Sequence, residues 1–256
     1  MSAIPGSSRA FASSSRFSPA VDSIVAFGAF AILWQLASFV YPAFQVPGWE
    51  KIIQGLEGLR YDYVLISLAR VVVALVVSFV LGMAIALAMY LWHPVERFAM
   101  PLVRLIMAVP ATCWIVFSIL WFKGVELRIC FVLLVTCAPI FIVDFLDGMR
   151  GVSSDLAAMV WSFRPGRVRF LAKLVLPAIT PTIITSLKIN LGQAIRLVTF
   201  AELVGAASGI GYGLTVAQEL FSVAEVFAWT VVLVVLLTLT MEALALLEKR
   251  LLRWRV

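Results

Sequence analysis

From residue 71 to residue 92 the chain carries no charged side chain, and the same is true from 105 to 122. Such runs constrain the fold more than any other feature. A helix needs roughly 20 residues to cross a hydrocarbon core of about 30 Å. Within that core only helices and closed barrels satisfy every backbone N–H and C=O group. Barrel strands would show alternating polarity over segments of about ten residues, and these runs do not alternate. An all-α, polytopic membrane protein is therefore predicted. Composition agrees: 63% of residues are hydrophobic and 13% charged, against roughly 45–50% and 25% in soluble domains.

Six transmembrane helices are predicted, at 24–41, 71–92, 105–122, 129–143, 178–201 and 226–247. The fifth is interrupted by Lys188 and Arg196. Residues 1–19, rich in Ser and Ala, are expected to form a disordered cytoplasmic tail, and 20–256 the membrane domain. With both termini inside, the inner segments hold thirteen Lys and Arg residues and the outer segments five, the bias that fixes orientation in a bilayer. The net charge of +6 is thus explained by topology, without nucleic acid. The tail Lys249, Arg250, Arg253 and Arg255, with Trp254, is expected to anchor the inner end.

The longest inner segment, 144–177, carries Arg150, Asp155, Arg164, Arg167, Arg169 and Lys173. The pair Pro165–Gly166 is expected to break it into two short helices. Asp144 and Asp147 are expected to be solvated or paired with Arg150. Pro110 and Pro139 fall inside spans, where proline removes a backbone bond and kinks a helix. Cys113, Cys130 and Cys137 all lie in apolar stretches and form no C-x-x-C pair, so no metal site or disulfide framework is expected. His93 is the single histidine. With no Ser–His pairing or separated aspartate pair at membrane depth, an intramembrane enzyme is disfavoured.

Several segments together carry a family resemblance over about 46–255. They are Val46-Pro47-Gly48, Ser67-Leu68-Ala69-Arg70, Ala108-Val109-Pro110-Ala111 with Leu120-Trp121-Phe122, Gly148-Met149-Arg150-Gly151-Val152, and Leu176-Pro177-Ala178. The longest runs from Ala201-Glu202-Leu203-Val204-Gly205 through Ala206-Ala207-Ser208-Gly209-Ile210-Gly211-Tyr212. In order and spacing the chain resembles the permease subunits of bacterial ABC importers, in the branch that handles nitrate, taurine and alkanesulfonates.

The resemblance implies a homodimeric permease in the bacterial inner membrane, working with a cytoplasmic ABC ATPase dimer and an extracytoplasmic solute-binding protein. It implies no cofactor and no catalytic residue in this chain. ATP would be bound by the partner, and no phosphate loop of the G-x-x-x-x-G-K-[ST] type is present. The inner loop would dock the ATPase, and the residues implied are Asp155, Ala158, Ser162, Arg164, Gly166, Arg167 and Pro177. The family loop pattern is Glu-Ala-Ala, then a glycine, then Leu-Pro. Anchored on Leu176-Pro177, it places the first three residues at Ala158, Met159 and Val160 and the glycine at Arg164. The Leu-Pro matches; the acid and the glycine do not. Asp155 lies three residues early and Gly166 two late, so Pro165–Gly166 is expected to supply the bend that the glycine normally gives.

For the solute pathway the candidates are Pro110, Trp114, Lys188, Gln193, Arg196 and Glu202. A charge at membrane depth costs at least about 2.5–3.5 kcal/mol unless it meets water or a partner. Gln193 and Arg196 share one helix face. Arg196 then either lines the pathway and attracts an anionic solute such as a carboxylate or sulfonate, or pairs with Glu202 or reaches one membrane surface. The competing function classes are an ion-driven secondary transporter, which would show an internal repeat, and a membrane scaffold.

Overall fold

A computed structural model describes residues 19–42 and 44–252. The expected tail at 1–18 and the terminal Arg253, Trp254 and Arg255 lie outside the described residues. Eleven α-helices follow one another: α1 (Pro19–Val40), α2 (Trp49–Glu57), α3 (Asp62–Leu91), α4 (His93–Ala108), α5 (Ala111–Trp121), α6 (Val125–Arg150), α7 (Ser154–Ser162), α8 (Arg167–Phe170), α9 (Leu176–Leu203), α10 (Ile210–Glu219) and α11 (Val223–Leu251). A π-helical turn, Leu171–Val175, joins α8 to α9 without a break. Among the described residues there is no strand, as the unbroken apolar runs require.

Four helices are long and apolar enough to cross a membrane: α3, α6, the continuous Arg167–Leu203, and α11. The predicted third span, 105–122, is not one straight helix. It is the second half of a pair, α4 and α5, bent by 96° at Val109–Pro110. Counting that pair as one span gives five among the described residues; the expected first span, 24–41, falls on α1, of which the apolar Val25–Val40 is not counted among those five. The physical reason for the break is local. Pro110 has no N–H to donate and disfavours helical backbone at the residue before it, and Val109 is extended at φ −80°, ψ 126°. By contrast α6 runs uninterrupted through Pro139 and extends well beyond the predicted 129–143.

The core lies where α3, α6 and α9 meet. Phe79 of α3 stands edge-on to Phe141 and Phe145 of α6, with ring centroids 5.6 and 5.4 Å away. Val71, Ala74, Ile129, Leu133, Ile179 and Ile195 are buried around them. Gly82 lets the two backbones approach, since a Cβ there would lie 2.6 Å from Phe141 Cβ and 3.3 Å from the Ala138 carbonyl oxygen. Elsewhere the apolar side chains face outward: Val72, Val76 and Val80 on α3 and Val234, Val235 and Leu239 on α11 are exposed. Exposed apolar area on this scale is excluded from water in soluble proteins, and here it faces lipid.

At the periphery, α1 is tied to α2 by indoles. Trp34 Nε1 donates to the Pro47 carbonyl (3.1 Å) and Trp49 Nε1 to that of Ala31 (3.2 Å). The short α2 rests on α11 through Gly55, whose missing Cβ leaves room for Ala224 and Ala228.

These packing differences predict opposite outcomes for two glycines. Gly82→Ala forces a methyl into the α3–α6 contact and is expected to lower stability by about 1–3 kcal/mol. Gly28→Ala, with nothing within 4 Å, is expected to be neutral or slightly stabilising, because alanine favours helix by about 1 kcal/mol. Thermal unfolding of the two purified variants in detergent checks the pair.

Candidate functional site

The polar chemistry of the bundle falls into three places along its length. The first is at the end where α3, α6 and α10 begin and α9 finishes. Glu202, in the last turn of α9, is fully buried. A carboxylate there needs a counter-charge and several donors, and the sequence supplies both from three other segments. Arg70 of α3 donates from Nη1 to Glu202 Oε1 at 2.7 Å. Ser67, one turn earlier, donates to the same carboxylate at 2.8 Å. The backbone N–H of Gly211 reaches Glu202 Oε2 at 3.0 Å, while that of Ile210 donates to Ser67 Oγ at 2.9 Å. Glu202 and Ser67 thereby satisfy two of the otherwise unpaired N–H groups at the start of α10, and the carboxylate sits at the positive end of that helix.

Arg70 is spent completely. Besides Glu202, Nη1 donates to the Ser208 carbonyl at 2.7 Å. Nη2 donates to Ser208 Oγ (3.1 Å) and to Glu126 of α6, and Nε donates to Glu126 Oε2 (2.9 Å). All five guanidinium N–H groups have acceptors. The glycines of the run 205–213 explain the close fit. At Gly209 φ is +108° and a Cβ would fall 2.3 Å from the Glu202 carboxyl carbon; at Gly211 it would fall 2.2 Å from the Thr199 carbonyl oxygen. The segment 205–210 is thus a tight turn wrapped around a carboxylate, leading into α10.

The second place is the break between α4 and α5. Two adjoining hollows, about 250 and 280 Å³, open there and share Ala111, Thr136 and Gln193. Arg196 lines one hollow; Pro110 and Trp114 line the other. So four predicted pathway residues, Pro110, Trp114, Gln193 and Arg196, gather at one cleft. Trp114 is also held edge-on against Phe117 and Phe131. Arg196 is exposed, and its Nε donates to the Gly192 carbonyl at 3.0 Å.

The other two pathway candidates lie elsewhere. Glu202 belongs to the buried cluster, so the expected alternative pairing of Arg196 with Glu202 is not formed: Arg70 holds that carboxylate. Lys188 forms an ion pair with Glu248 of α11. Asp144 does not pair with Arg150; it accepts a hydrogen bond from Ser186 at 2.5 Å, and Arg150 instead pairs with Glu96 of α4.

The third place is the loop between α6 and α9. None of the residues of α7 is buried, and Met159, Trp161, Phe163 and Val168 are exposed. Asp155, Ala158, Ser162, Arg164, Gly166 and Arg167 all face outward, as does Pro177 in the first turn of α9. Trp161 stacks on Phe170 at 4.9 Å, holding α7 against α8. The bend does not come from Gly166, which is extended at φ −65°. It is at Arg164, in the left-handed region at φ +48°, with its N–H bonded to the Trp161 carbonyl at 2.9 Å. Left-handed backbone after a helix is where glycine is favoured. Arg164 therefore takes a left-handed bend at the position where the pattern anchored on Leu176-Pro177 places a glycine.

Ser67, Arg70, Glu126 and Ser208 were not singled out as functional from the sequence. One signal was available: Arg70 is the charged residue that immediately precedes the uncharged run 71–92, a position where a partner is demanded.

Long apolar helices, a broken span with a cleft, and a solvent-facing helical loop together define a helical membrane transport subunit. Residues 78–253 match the family described as binding-protein-dependent transport system inner membrane component. The chain belongs to that family, and its class is the ABC importer permease. Over 203 residues it is 30% identical to a Bacillus subtilis protein named for aliphatic sulfonates transport, covering 78% of this chain and 72% of that one. It is 26% identical over 235 residues to the taurine transport system permease protein of Escherichia coli, covering 87% and 85%. In fold it is similar to a chain of the MetNI methionine ABC transporter solved in inward-facing conformations, with a TM-score of 0.60 and 18% identity over 74% of this chain and 93% of that one.

Three substitutions follow from this geometry. Arg70→Met leaves the buried Glu202 charge unpaired and is expected to cost about 3–5 kcal/mol, whereas Glu126→Gln, whose side chain is 69% exposed, is expected to cost no more than about 1 kcal/mol; thermal unfolding ranks them. Arg164→Gly relieves left-handed strain of about 1–2 kcal/mol but frees the unfolded chain by part of that amount. A net change between neutral and about 1 kcal/mol stabilising is expected, and a clear loss of thermal stability would contradict the strain.

Proposed function

We propose that this chain forms, as a homodimer, the membrane pathway of an ATP-driven importer for a small anionic organic solute of the sulfonate or taurine kind. A cytoplasmic ATPase dimer docks on the loop 150–177, and an extracytoplasmic binding protein delivers the solute. The observation that carries the reading is α7: a helix with no buried residue, apolar side chains exposed, following the far end of α6 from the ion-pair cluster. Beyond the inner-face contacts of Ala157, Val160 and Trp161, its exposed apolar side chains have no cover in this chain, and family membership supplies a partner class for them.

The basic residues of that loop and Lys249 and Arg250 of α11 lie at the same end of the bundle as α7, which makes it the cytoplasmic end under the positive-inside bias. The Arg70–Glu202 cluster then marks the outer end, and both termini are cytoplasmic. Arg196 and Gln193, exposed at the cleft, supply a cation and an amide for an anionic group, and Trp114 supplies an apolar wall. The ATPase closes on nucleotide, moves α7, and so changes access to the cleft.

Deletion of 155–170 is expected to abolish ATP-driven uptake while leaving membrane insertion and the Arg70 cluster intact. Uptake is measured in proteoliposomes holding the full complex, with taurine and methanesulfonate as probes. Arg196→Gln is expected to raise KM for the anion about tenfold, with a smaller effect on the ATPase rate. Full uptake by the deletion variant would overturn the assignment of the loop.

A further inference from the structure

A second small pocket lies at the bundle end that carries the Arg70 cluster, between the α2–α3 turn, α10 and the start of α11. It measures about 200 Å³ and is lined by Arg60, Tyr63, Tyr212, Gly213, Glu225 and Trp229. Its chemistry differs from that of the cleft. Tyr212 stands edge-on to Tyr63 at 5.8 Å, and the Trp229 ring lies nearly parallel to Tyr63 at 6.1 Å. Gly213 closes the far side of Trp229, for a Cβ there would come within 2.4 Å of the indole. Glu225 is half-buried beside these rings and, among the described residues, has no ion-pair partner.

Tyr63 already carries a cation. The Arg60 guanidinium carbon sits 4.9 Å from its ring centroid, and Arg60 is neutralised by Asp62 through bonds of 3.3 and 2.8 Å. The hydrogen bond to Asp62 raises the pKa of Arg60, and the two opposite charges side by side leave no net charge. The free charge left in the pocket is the Glu225 carboxylate. Aromatic faces with one carboxylate suit a weakly hydrated organic cation. A bare metal ion would want six or more oxygen ligands in place of rings, and the volume exceeds what a single ion fills.

We propose that this pocket is a recognition site for an organic ammonium group, with Tyr212 contributing a π face and Glu225 the counter-charge. The group could belong to a free solute or to a lipid headgroup; the chemistry is shared.

The test uses the full-length chain purified with its complex partners and titrated calorimetrically with tetramethylammonium and with choline, against sodium at equal ionic strength. Saturable binding of both organic cations, and none of sodium, is expected. Glu225→Gln should weaken it about tenfold, a loss within the range for a desolvated cation–aromatic site. Tyr212→Leu should weaken it similarly, and Tyr212→Phe, which keeps the ring, should retain it. If Tyr212→Leu does not fold, Glu225→Gln and Tyr212→Phe decide. Choline binding lost in phosphatidylcholine nanodiscs but kept in phosphatidylglycerol nanodiscs identifies a lipid headgroup as the occupant; binding kept in both identifies a free solute. Organic cations that bind no better than sodium, or binding unchanged in Glu225→Gln, overturn the proposal.

Discussion

A carboxylate with no exposure at the edge of an apolar bundle is an unstable object by itself. Glu202 is tolerable only because Arg70, Ser67 and the first amides of α10 converge on it. That requirement fixes much else. Arg70 is buried with it and needs acceptors for its remaining donors, which Glu126 and Ser208 provide. The turn that brings Ser208 into place has room for no side chain at Gly209 or Gly211. One buried charge thus ties together the ends of α3, α6, α9 and α10.

The two ends of the bundle are built for different purposes. At the clustered end all five N–H groups of Arg70 are used and backbone approaches are close, a construction that resists opening. At the other end α7 is held mainly by the stacking of Trp161 on Phe170 and offers apolar side chains to solvent. Between them the α4–α5 break replaces a straight span with a 96° corner, and the cleft forms where that corner leaves space against α6 and α9. A transport subunit needs such a contrast: a fixed frame, a movable contact, and a cavity whose walls connect them.

How much of this was legible in the sequence differs by feature. Long apolar runs located α3, α6, α9 and α11, because lipid imposes the same length and polarity on any span. They could not show the corner at Val109–Pro110, since hydropathy is blind to backbone direction and proline mid-run is compatible with either a kink or a full break. Gln193 and Arg196 were legible because polar residues at membrane depth demand an explanation, and Pro110 because proline inside a span kinks it. Glu202 was legible as a residue but not as part of a cluster. Its partners lie more than 130 positions away for Ser67 and Arg70, and no local pattern encodes such a pairing. At the loop, the missing glycine pointed to Gly166 as its substitute; instead Arg164 adopts the strained conformation in place. Composition records which residue occupies a bend but not which bend the packing imposes.

The central claim is that this permease works with an ATPase docked on the loop 150–177, and it is tested most directly by what the intact protein carries with it. The full-length chain should be tagged, extracted from its native membrane in mild detergent, and its companions identified by mass spectrometry. A stoichiometric subunit with a phosphate-binding loop, lost when 155–170 is deleted, is the predicted result. A folded, dimeric preparation with no such ATPase would contradict the account.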